Sequence, residues 1–317
     1  MTKNFRIFFI VLVLSLPFWL GVNLAQKDFE NFLTAQISQP IEIISKSVAN
    51  SEVQESPKPK LDMLVKSAVS LKINGENKKI IFQKDADQIL PIASLTKLMT
   101  AVVVLDDPEN YNFDKIVVIS KNAVDQDENL GNLAVGEKIS VKNLLHTMLI
   151  ESSNDAAFAL SEVIGKDNFV TKMNQKAIDL GLKDTFFINP TGLDIDDLQN
   201  KTTEFNYSTA IDLEKLSEYI LNQYPQIWEI SSEMSYEVLN SENQFHHLAV
   251  NRNGFSHISP DFETIGWKTG YTDTAGGCVI VVLKDSENNN FINVVLGAAS
   301  VDARVEEMKK LVNYINS

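Results

Sequence analysis

Ser94 and Lys97 are the two residues of this chain best placed to begin a chemical reaction. They lie three positions apart, and on a helix residues at i and i+3 share one face, one turn apart. A lysine there could take the proton of the serine hydroxyl if its amine were neutral. Burial lowers the pKa of a lysine, and a neutral amine beside a serine makes an activated nucleophile without a histidine.

The residues that follow predict a buried helix, because Leu95 to Leu105 is apolar almost all the way round. The pattern Ser-x-x-Lys occurs once in the chain, but composition alone would produce about one in a chain of this size. An ordinary helix start, with Ser94 as N-cap and Lys97 on a solvated face, is therefore the alternative. The apolar neighbours of Lys97 weigh against it, because they leave little room for a solvated face.

A second short motif, Ser152-Ser153-Asn154, lies in a break between two predicted helices, Val141 to Ile150 and Ala156 to Ile164. Its hydroxyl could relay a proton to a leaving amine, and its amide could hold the backbone of a substrate. The pattern Ser-x-Asn also occurs elsewhere in the chain, and Ser and Asn are common helix caps. A plain N-cap is therefore the alternative.

A third motif, Lys268-Thr269-Gly270, lies in a predicted strand, Glu263 to Thr272. A lysine and a threonine side by side could bind a terminal carboxylate by charge and hydroxyl, and a glycine lets a substrate backbone approach the strand. An exposed strand end followed by a turn is the simpler alternative. Each motif is modest alone, so their order along the chain carries the argument.

The elements that must position these motifs follow from hydrophobic periodicity and turn residues. Two strands, Leu64 to Ile73 and Lys79 to Gln83, precede the Ser94 helix, and residues 105–245 have a mostly helical pattern. They are followed by the strands Glu263 to Thr272, Val279 to Lys284 and Phe291 to Ala298 and by a closing helix, Asp302 to Ile315. This order predicts an α+β fold, with a mostly antiparallel sheet flanked by helices and a helical lobe.

Residues 1–25 predict a membrane segment. Ile7 to Ala25 is nineteen residues without a charge, which can just cross a bilayer, and the basic residues before it predict that the N-terminus is inside. Asn23 suits the −3 position of a cleavage site poorly, so we favour a retained anchor over a cleaved signal peptide. Polar, proline-containing sequence then predicts a flexible spacer over residues 26–60, with a catalytic domain over residues 61–317.

Charge and composition exclude some function classes. The formal net charge is −14, which argues against a nucleic-acid partner, because phosphate binding needs a basic surface. The single cysteine, Cys278, lies in a strand-like run and is predicted to be a buried structural thiol. Adjacent residues of a strand face opposite sides, so His246 and His247 should diverge, and we predict no metal site and no cofactor.

The three motifs in this order resemble the signature of penicillin-binding proteins and serine β-lactamases: Ser152 lies 58 positions after Ser94, and Lys268 lies 116 after Ser152. Longer stretches are similar to the serine D-alanyl-D-alanine carboxypeptidases, the low-molecular-weight penicillin-binding proteins of peptidase family S11. These stretches are residues 91–101, 144–157, 173–174, 189–193, 251–254 and 266–272. The similarity extends from about Leu61 to the C-terminus and implies a β-lactamase/DD-peptidase-like fold.

The resemblance implies catalytic roles for four side chains. Ser94 would be the acylated nucleophile and Lys97 its general base, with Ser152 near the leaving amine and Asn154 on the same wall of the site. The backbone N–H groups of Ser94 and Tyr271 would form the oxyanion hole, in which each donor contributes on the order of 3 kcal/mol in other acyl-transfer enzymes.

The resemblance also implies a set of substrate-binding residues. Lys268 and Thr269, in the triplet that ends at Gly270, would bind the carboxylate of the substrate. Arg252 and Arg304 match positions that bind or orient this carboxylate in relatives, although each could be an ordinary surface charge.

Two departures from the family pattern stand out. The middle motif is often Ser-Gly-Asn, and here Ser153 replaces the glycine, which should matter little if its side chain points away from the site. Many relatives also carry a C-terminal β-rich domain and an amphipathic anchoring helix. Here the sequence after Lys268 has room for the hairpin and the last helix, so we expect the N-terminal segment to supply the anchor.

The resemblance implies a serine hydrolase that removes the C-terminal D-Ala from peptidoglycan stem peptides ending in D-Ala-D-Ala, with β-lactam antibiotics as inhibitors. A DD-endopeptidase, a β-lactamase on the same fold and a non-catalytic wall-binding protein remain open as alternatives. The expected location is the cell membrane, as a single-pass protein with the catalytic domain on the extracytoplasmic side. Cleavage of the N-terminal segment would instead release a secreted enzyme.

Overall fold

The computed structural model describes residues 61–127, 130–197, 200–252, 254–255 and 257–317. The predicted membrane segment and the spacer, residues 1–60, lie outside the described residues. Within the described ranges, no helix is long and apolar enough to cross a membrane.

Strands and helices alternate along this part of the chain. The strands are β1 (Ser67–Asn74), β2 (Asn77–Lys84), β3 (Leu90–Pro91), β4 (Ile116–Val118), β5 (Lys138–Ser140), β6 (Ile195–Asp197), β7 (Thr202–Glu204), β8 (Tyr207–Ser208), β9 (Ser235–Leu239), β10 (Phe245–Val250), β11 (Glu263–Thr272), β12 (Gly276–Lys284) and β13 (Asn290–Ala298). The helices are α1 (Thr96–Asp106), α2 (Lys121–Val124), α3 (Val141–Ile150), α4 (Asn154–Glu162), α5 (Lys166–Asp179), α6 (Ala210–Gln223), α7 (Gln226–Ser232) and α8 (Val301–Asn316).

The main sheet has five strands in the order β11-β12-β13-β1-β2, and each neighbouring pair is antiparallel. Its central strands are buried on both faces, as β12 illustrates. Ile280 and Val282 belong to the core between the sheet and the helical lobe, whereas Val279, Val281 and Leu283 belong to the core beneath α8. This alternation is the period of two that a strand imposes on its side chains. The sheet therefore separates two hydrophobic layers, and the predicted α+β fold is confirmed.

The long elements agree well with the sequence prediction. The predicted bounds of α3 and β11 match the structure at both ends, and the hairpin of β12 and β13 is also as predicted. The interpretation of residues 105–245 as mostly helical was incomplete. The two-stranded pairs β4–β5 and β6–β7 and the strand β9 lie within this region, and β8 there pairs with β3. The partner of β9, β10, begins at the last residue of this region. Such strands are only two to six residues long, too short to show a period of two clearly.

The helix α1 lies in the middle of the molecule. Every residue from Thr96 to Val104 is buried, so the prediction of a helix that is buried all round is confirmed. The helix proper begins two residues later than Ser94, which lies in a 3-10 turn over Ala93–Leu95. Ala93 has a positive φ of 47°, a conformation that costs an L-residue about 1–2 kcal/mol. The surrounding structure must therefore hold this turn in place.

Gly192 is one of the residues that hold the turn. It has a φ of +89°, and a Cβ atom built on it would lie 2.0 Å from the carbonyl oxygen of Ala93 and 2.4 Å from its carbonyl carbon. Only a glycine allows two backbone segments to approach so closely. The loop around residue 192 therefore packs directly against the backbone that precedes Ser94.

We expect Gly192→Ala to destabilise the protein by at least about 3 kcal/mol, because the new methyl group would overlap the Ala93 backbone. Gly136→Ala is the matched control, since Gly136 has a similar φ of +85° but a Cβ atom there would have nothing within 4 Å. The control should cost only the conformational penalty of about 1–2 kcal/mol. Urea unfolding of both variants measures the difference, and equal costs would contradict the packing argument.

Candidate active site

Lys97 is the centre of the buried polar cluster at the start of α1. Its side chain is completely buried, and three oxygens of the described residues lie within hydrogen-bonding distance of its Nζ atom. They are Ser94 Oγ at 2.8 Å, Asn154 Oδ1 at 2.6 Å and the backbone carbonyl oxygen of Thr191 at 2.7 Å. The spacing of Ser94 and Lys97 therefore does bring their side chains together, and Lys97 is as buried as the sequence predicted.

Two of these contacts fix the orientation of the lysine. The amide of Asn154 donates from Nδ2 to the carbonyl oxygen of Asp127 at 2.8 Å, so its Oδ1 must face Lys97. The carbonyl oxygen of Thr191 also can only accept. Two N–H bonds of Lys97 are thus directed at these acceptors. In the neutral amine, the remaining tetrahedral position is a lone pair that faces the hydroxyl of Ser94, which is the arrangement a general base requires.

Ser152 lies on the opposite wall, in the connection between α3 and α4. It has a φ of +65°, and its Oγ accepts a hydrogen bond of 2.8 Å from Nζ of Lys268. The neighbouring Ser153 is fully buried and caps α4, accepting from the backbone N–H of Ala156 and donating to the carbonyl oxygen of Leu130. Its side chain points away from the polar cluster around Lys97. This is the condition under which the replacement of the glycine was expected to matter little.

Lys268 and Thr269 lie near the middle of β11 and are almost completely buried. Burial and, to a smaller extent, the positive charge of Arg304 lower the pKa of Lys268 to about 7. A Cβ atom on Gly270 would lie 2.9 Å from the backbone nitrogen of Ser94 and 3.0 Å from the carbonyl oxygen of Ile92. Gly270 is therefore needed for the strand to pack against the Ser94 turn, and not only for the approach of a substrate.

A cavity of about 320 Å³ opens above these residues. Ser94, Ser152, Thr269, Gly270 and Tyr271 line it, together with Leu130, Ile150, Glu151, Val250, Arg252, Val301 and Arg304. Arg304 is buried, and its Nη1 donates to the carbonyl oxygen of Gly270 at 2.9 Å, whereas Arg252 is exposed at the rim. Both arginines that the sequence singled out thus face the same cavity as Ser94.

The comparison with protein families matches residues 53–300 to the Peptidase S11 model, described as D-alanyl-D-alanine carboxypeptidase. The chain belongs to this family. The D-alanyl-D-alanine carboxypeptidase DacF of Bacillus subtilis strain 168 is 33% identical over 254 residues, which cover 78% of this chain and 61% of DacF. The D-alanyl-D-alanine endopeptidase of Pseudomonas aeruginosa is 32% identical over 265 residues, which cover 80% of this chain and 79% of that protein.

Solved structures of the family have the same fold. Penicillin-binding protein D2 of Listeria monocytogenes, solved in a cefotaxime-bound form, superposes with a TM-score of 0.69 at 28% identity. The match covers 82% of this chain and all of that one. The predicted DD-peptidase-like fold is thereby confirmed. The chain spans only about three fifths of the length of the Bacillus relative.

Sequence reasoning missed two residues whose backbone carbonyl groups orient the site. The carbonyl oxygens of Asp127 and Thr191 orient Asn154 and Lys97, and a carbonyl group leaves no trace in the residue type. The segment 189–193 is one of the stretches similar to the family, but the sequence predicts no role for it. The glycine at position 192 is the residue type in that stretch that could have indicated a close approach of two backbone segments.

The remaining polar residues divide into confirmed and corrected predictions. Cys278 is a fully buried free thiol, as predicted, and burial raises its pKa to about 11. The prediction that His246 and His247 face opposite sides of a strand was wrong. The register of β10 against β9 shifts between Phe245 and His247, and this bulge turns both rings to the same side. No group of three or more His, Cys, Asp or Glu residues in the described part of the chain could hold a metal ion.

Proposed function

We propose that this protein is a serine DD-peptidase that removes the C-terminal D-Ala from peptidoglycan stem peptides through an acyl-enzyme on Ser94. The observation that carries the proposal is the buried Lys97, whose Nζ lies 2.8 Å from Ser94 Oγ and is oriented by Asn154 and Thr191. Membership of the S11 family supports the choice of substrate.

In the acylation step, neutral Lys97 takes the proton of the Ser94 hydroxyl as Oγ attacks the carbonyl carbon of the penultimate D-Ala. The backbone N–H groups of Ser94 and Tyr271 stabilise the oxyanion that forms. Ser152, which is hydrogen-bonded to Lys268, delivers a proton to the leaving nitrogen and is reprotonated by the proton that Lys97 has taken, so that the C–N bond breaks, D-Ala departs and Lys97 is neutral again. Water then attacks the ester on Ser94, and Lys97 takes a proton from this water and returns it to Oγ of Ser94 as the C–O bond breaks.

Substrate recognition in this proposal depends on positive charge. Thr269, Arg252 and Arg304 line the cavity, and Lys268 is hydrogen-bonded to Ser152, which also lines it. The terminal carboxylate of the peptide would bind among these groups. The carboxylate of a β-lactam would occupy the same position. A covalent penicillin adduct on Ser94 is therefore part of the proposal, and it would persist if deacylation were slow.

A DD-endopeptidase is the second candidate, because the Pseudomonas relative carries that name and is matched over most of its length. The cavity is open, and nothing in its lining separates a linear stem peptide from a cross-linked one. We propose carboxypeptidase activity as the main reaction, and a cross-linked peptide dimer as the second substrate to be tested.

We also propose that the segment within residues 1–25 is a retained anchor that holds the domain outside the cell membrane. This rests on the uncharged run from Ile7 to Ala25 and on the basic residues before it. The polar sequence over residues 26–60 would then act as a spacer between the anchor and the domain.

The central test is D-Ala release by the wild type and by Ser94→Ala. We expect the wild type to release D-Ala from a diacyl-D-Ala-D-Ala peptide and to form a penicillin adduct in intact-mass spectra. Ser94→Ala should do neither, because it lacks the nucleophile, whereas the exposed control Ser286→Ala should match the wild type. Equal release by wild type and Ser94→Ala would refute the proposal.

The same experiment separates the alternatives. Cleavage of the cross-linked dimer faster than the linear peptide would favour the endopeptidase, and rapid penicillin turnover without an adduct would favour a β-lactamase. Absence of both labelling and hydrolysis would favour a non-catalytic wall-binding protein. Fluorescent penicillin should label the full chain in the salt-washed membrane fraction, and label recovered only in the soluble fraction would contradict the retained anchor.

Asn154→Asp tests the state of Lys97. A carboxylate in place of the amide oxygen 2.6 Å from Nζ should raise the pKa of Lys97, so that its neutral form becomes scarce. The acid limb of the pH profile of penicillin acylation should then shift upward by about one unit or more. Asn243→Asp, in the exposed Ser241-x-Asn243 pattern, is the matched control. An unshifted profile would argue against Lys97 as the base.

The pKa of about 7 at Lys268 predicts how peptide hydrolysis depends on pH on the alkaline side. Below this pH the ammonium form predominates and attracts a carboxylate; above it the amine is neutral. We therefore expect kcat/KM to fall above about pH 7, by up to about tenfold per unit, because this ratio reports the free enzyme.

Lys268→Arg should remove this descending limb, because a guanidinium stays charged. Lys284→Arg, at the far end of the neighbouring strand β12, is the matched control and should keep the limb. The measurement is the pH dependence of peptide hydrolysis for the three proteins. A limb that persists in Lys268→Arg would assign it to another group.

A further inference from the structure

Beside the cavity, four titratable side chains form a continuous chain of hydrogen bonds. Glu137 Oε2 lies 3.1 Å from His246 Nε2, the Nδ1 atoms of His246 and His247 lie 2.6 Å apart, and His247 Nε2 lies 3.0 Å from Glu151 Oε2. The bulge in β10 creates this arrangement, because it turns two successive histidines toward each other. His247 is buried, and the side chain of Glu151 is only 12% exposed.

The number of protons in this chain follows from counting donors and acceptors. An ionised carboxylate only accepts, so the Nε2 atoms of both histidines must carry hydrogen. A hydrogen bond between the two Nδ1 atoms needs one further hydrogen, on one ring or the other. The two rings therefore hold three protons on four nitrogens, so one ring is an imidazolium and the other is neutral.

Glu151 connects this chain of hydrogen bonds to the site. It directly precedes Ser152, whose φ of +65° must be held by its surroundings, and it lines the cavity itself. Its second oxygen, Oε1, accepts from the backbone N–H of Val250 at 3.4 Å. Glu151 thus links the Ser152 turn to β10 by two hydrogen bonds, one to His247 and one to Val250. Arg252 lies two residues after Val250.

We infer that His246 and His247 share a single positive charge, which holds Glu151 in place and thereby positions Ser152 and Arg252 for the proposed reaction. The inference rests on the proposed function for its effect on catalysis, but not for the count of protons. Glu137, Glu151, His246 and His247 act here as positioning residues.

The arrangement works only between two limits of pH. If the shared proton is lost, the lone pairs of the two Nδ1 atoms face each other across 2.6 Å. If a second proton is gained, both Nδ1 atoms carry hydrogen and two N–H groups face each other instead. Either change breaks the contact between the rings and weakens the hold on Glu151. The site should therefore be ordered only while the two rings share one charge.

Few other charges bear on this pair. The remaining titratable side chains on the elements packed around it are Lys138 on β5, Lys142 and His146 on α3, Glu233 after α7, and Tyr236 and Glu237 on β9. Among the described residues, none of them hydrogen-bonds to either ring. His146 Nδ1 instead lies 2.8 Å from the carbonyl oxygen of Lys142, and its ring stacks on that of Tyr236.

Nitrogen-15 labelling of histidine in the full-length chain tests the proton count directly. The chain has four histidines, so His146 and His257 serve as internal references, and His246→Gln assigns the pair. Between about pH 6 and 8 we expect three protonated ring nitrogens in the pair and one unprotonated Nδ1. The backbone amide resonances of Ser152 and Arg252 should move with the same midpoints. Two neutral rings throughout, or two imidazolium rings, would overturn the inference.

Glu137→Gln tests the effect on the site from its far end, since Glu137 does not line the cavity. Removing its charge should lower the pH at which the shared proton is lost by about one unit, and the pH midpoint at which the amide resonances of Ser152 and Arg252 move should shift equally. Glu237→Gln, exposed on β9, is the matched control and should shift neither. Identical midpoints for the two variants would overturn the positioning role. Absence of acylation in the wild type would instead refute the proposed function, and the nitrogen-15 count would still decide the shared charge.

Discussion

The burial of Lys97 is the constraint on which the rest of this structure depends. A lysine side chain without access to solvent must have its nitrogen surrounded by hydrogen-bonding partners, and among the described residues these come from three separate parts of the chain. Ser94 is on the same turn, Asn154 begins α4, and Thr191 lies in a loop beyond α5. The helical lobe and the loops therefore have to meet at this one atom, and a fold that failed to bring them together would leave a buried amine unpaired.

The same junction holds two residues in unfavourable backbone conformations. Ala93 and Ser152 both have positive φ values, and each lies beside a segment that restricts its movement. Gly192 and Gly270 allow the backbones of their segments to touch the Ser94 turn, because neither has a Cβ atom in the way. Unfavourable conformations of this kind persist only where the surrounding structure determines them. The segments that hold these unfavourable conformations thus also fix the distance between the Ser94 hydroxyl and the Lys97 amine.

How far the sequence could predict this arrangement depends on whether side chains or backbone carry the information. Ser94, Lys97, Asn154 and Lys268 were predicted as one site because their residue types follow a known order, and β11 and α3 because their apolar patterns are long. The carbonyl of Thr191 could not be predicted, since any residue supplies a carbonyl. The convergence of His246 and His247 was missed for a related reason: a bulge adds one residue to a strand and reverses the side to which the following side chains point.

The distribution of charge gives a physical reason for a carboxylate in the cavity. The chain as a whole is strongly acidic, with a net charge of −14, yet two buried cationic side chains lie at the site: Arg304 lines the cavity, and Lys268 is hydrogen-bonded to Ser152, which also lines it. In the part of the chain that the structure describes, neither forms a salt bridge, and Glu151, the acidic residue of the cavity lining, is bound to His247. Burial disfavours the ammonium form of Lys268, and repulsion by the nearby Arg304 adds a smaller effect, so the pKa of Lys268 is lowered. An anionic group entering from solvent would relieve this repulsion, so part of the stability given up in the free protein would be recovered when the carboxylate of the proposed substrate binds.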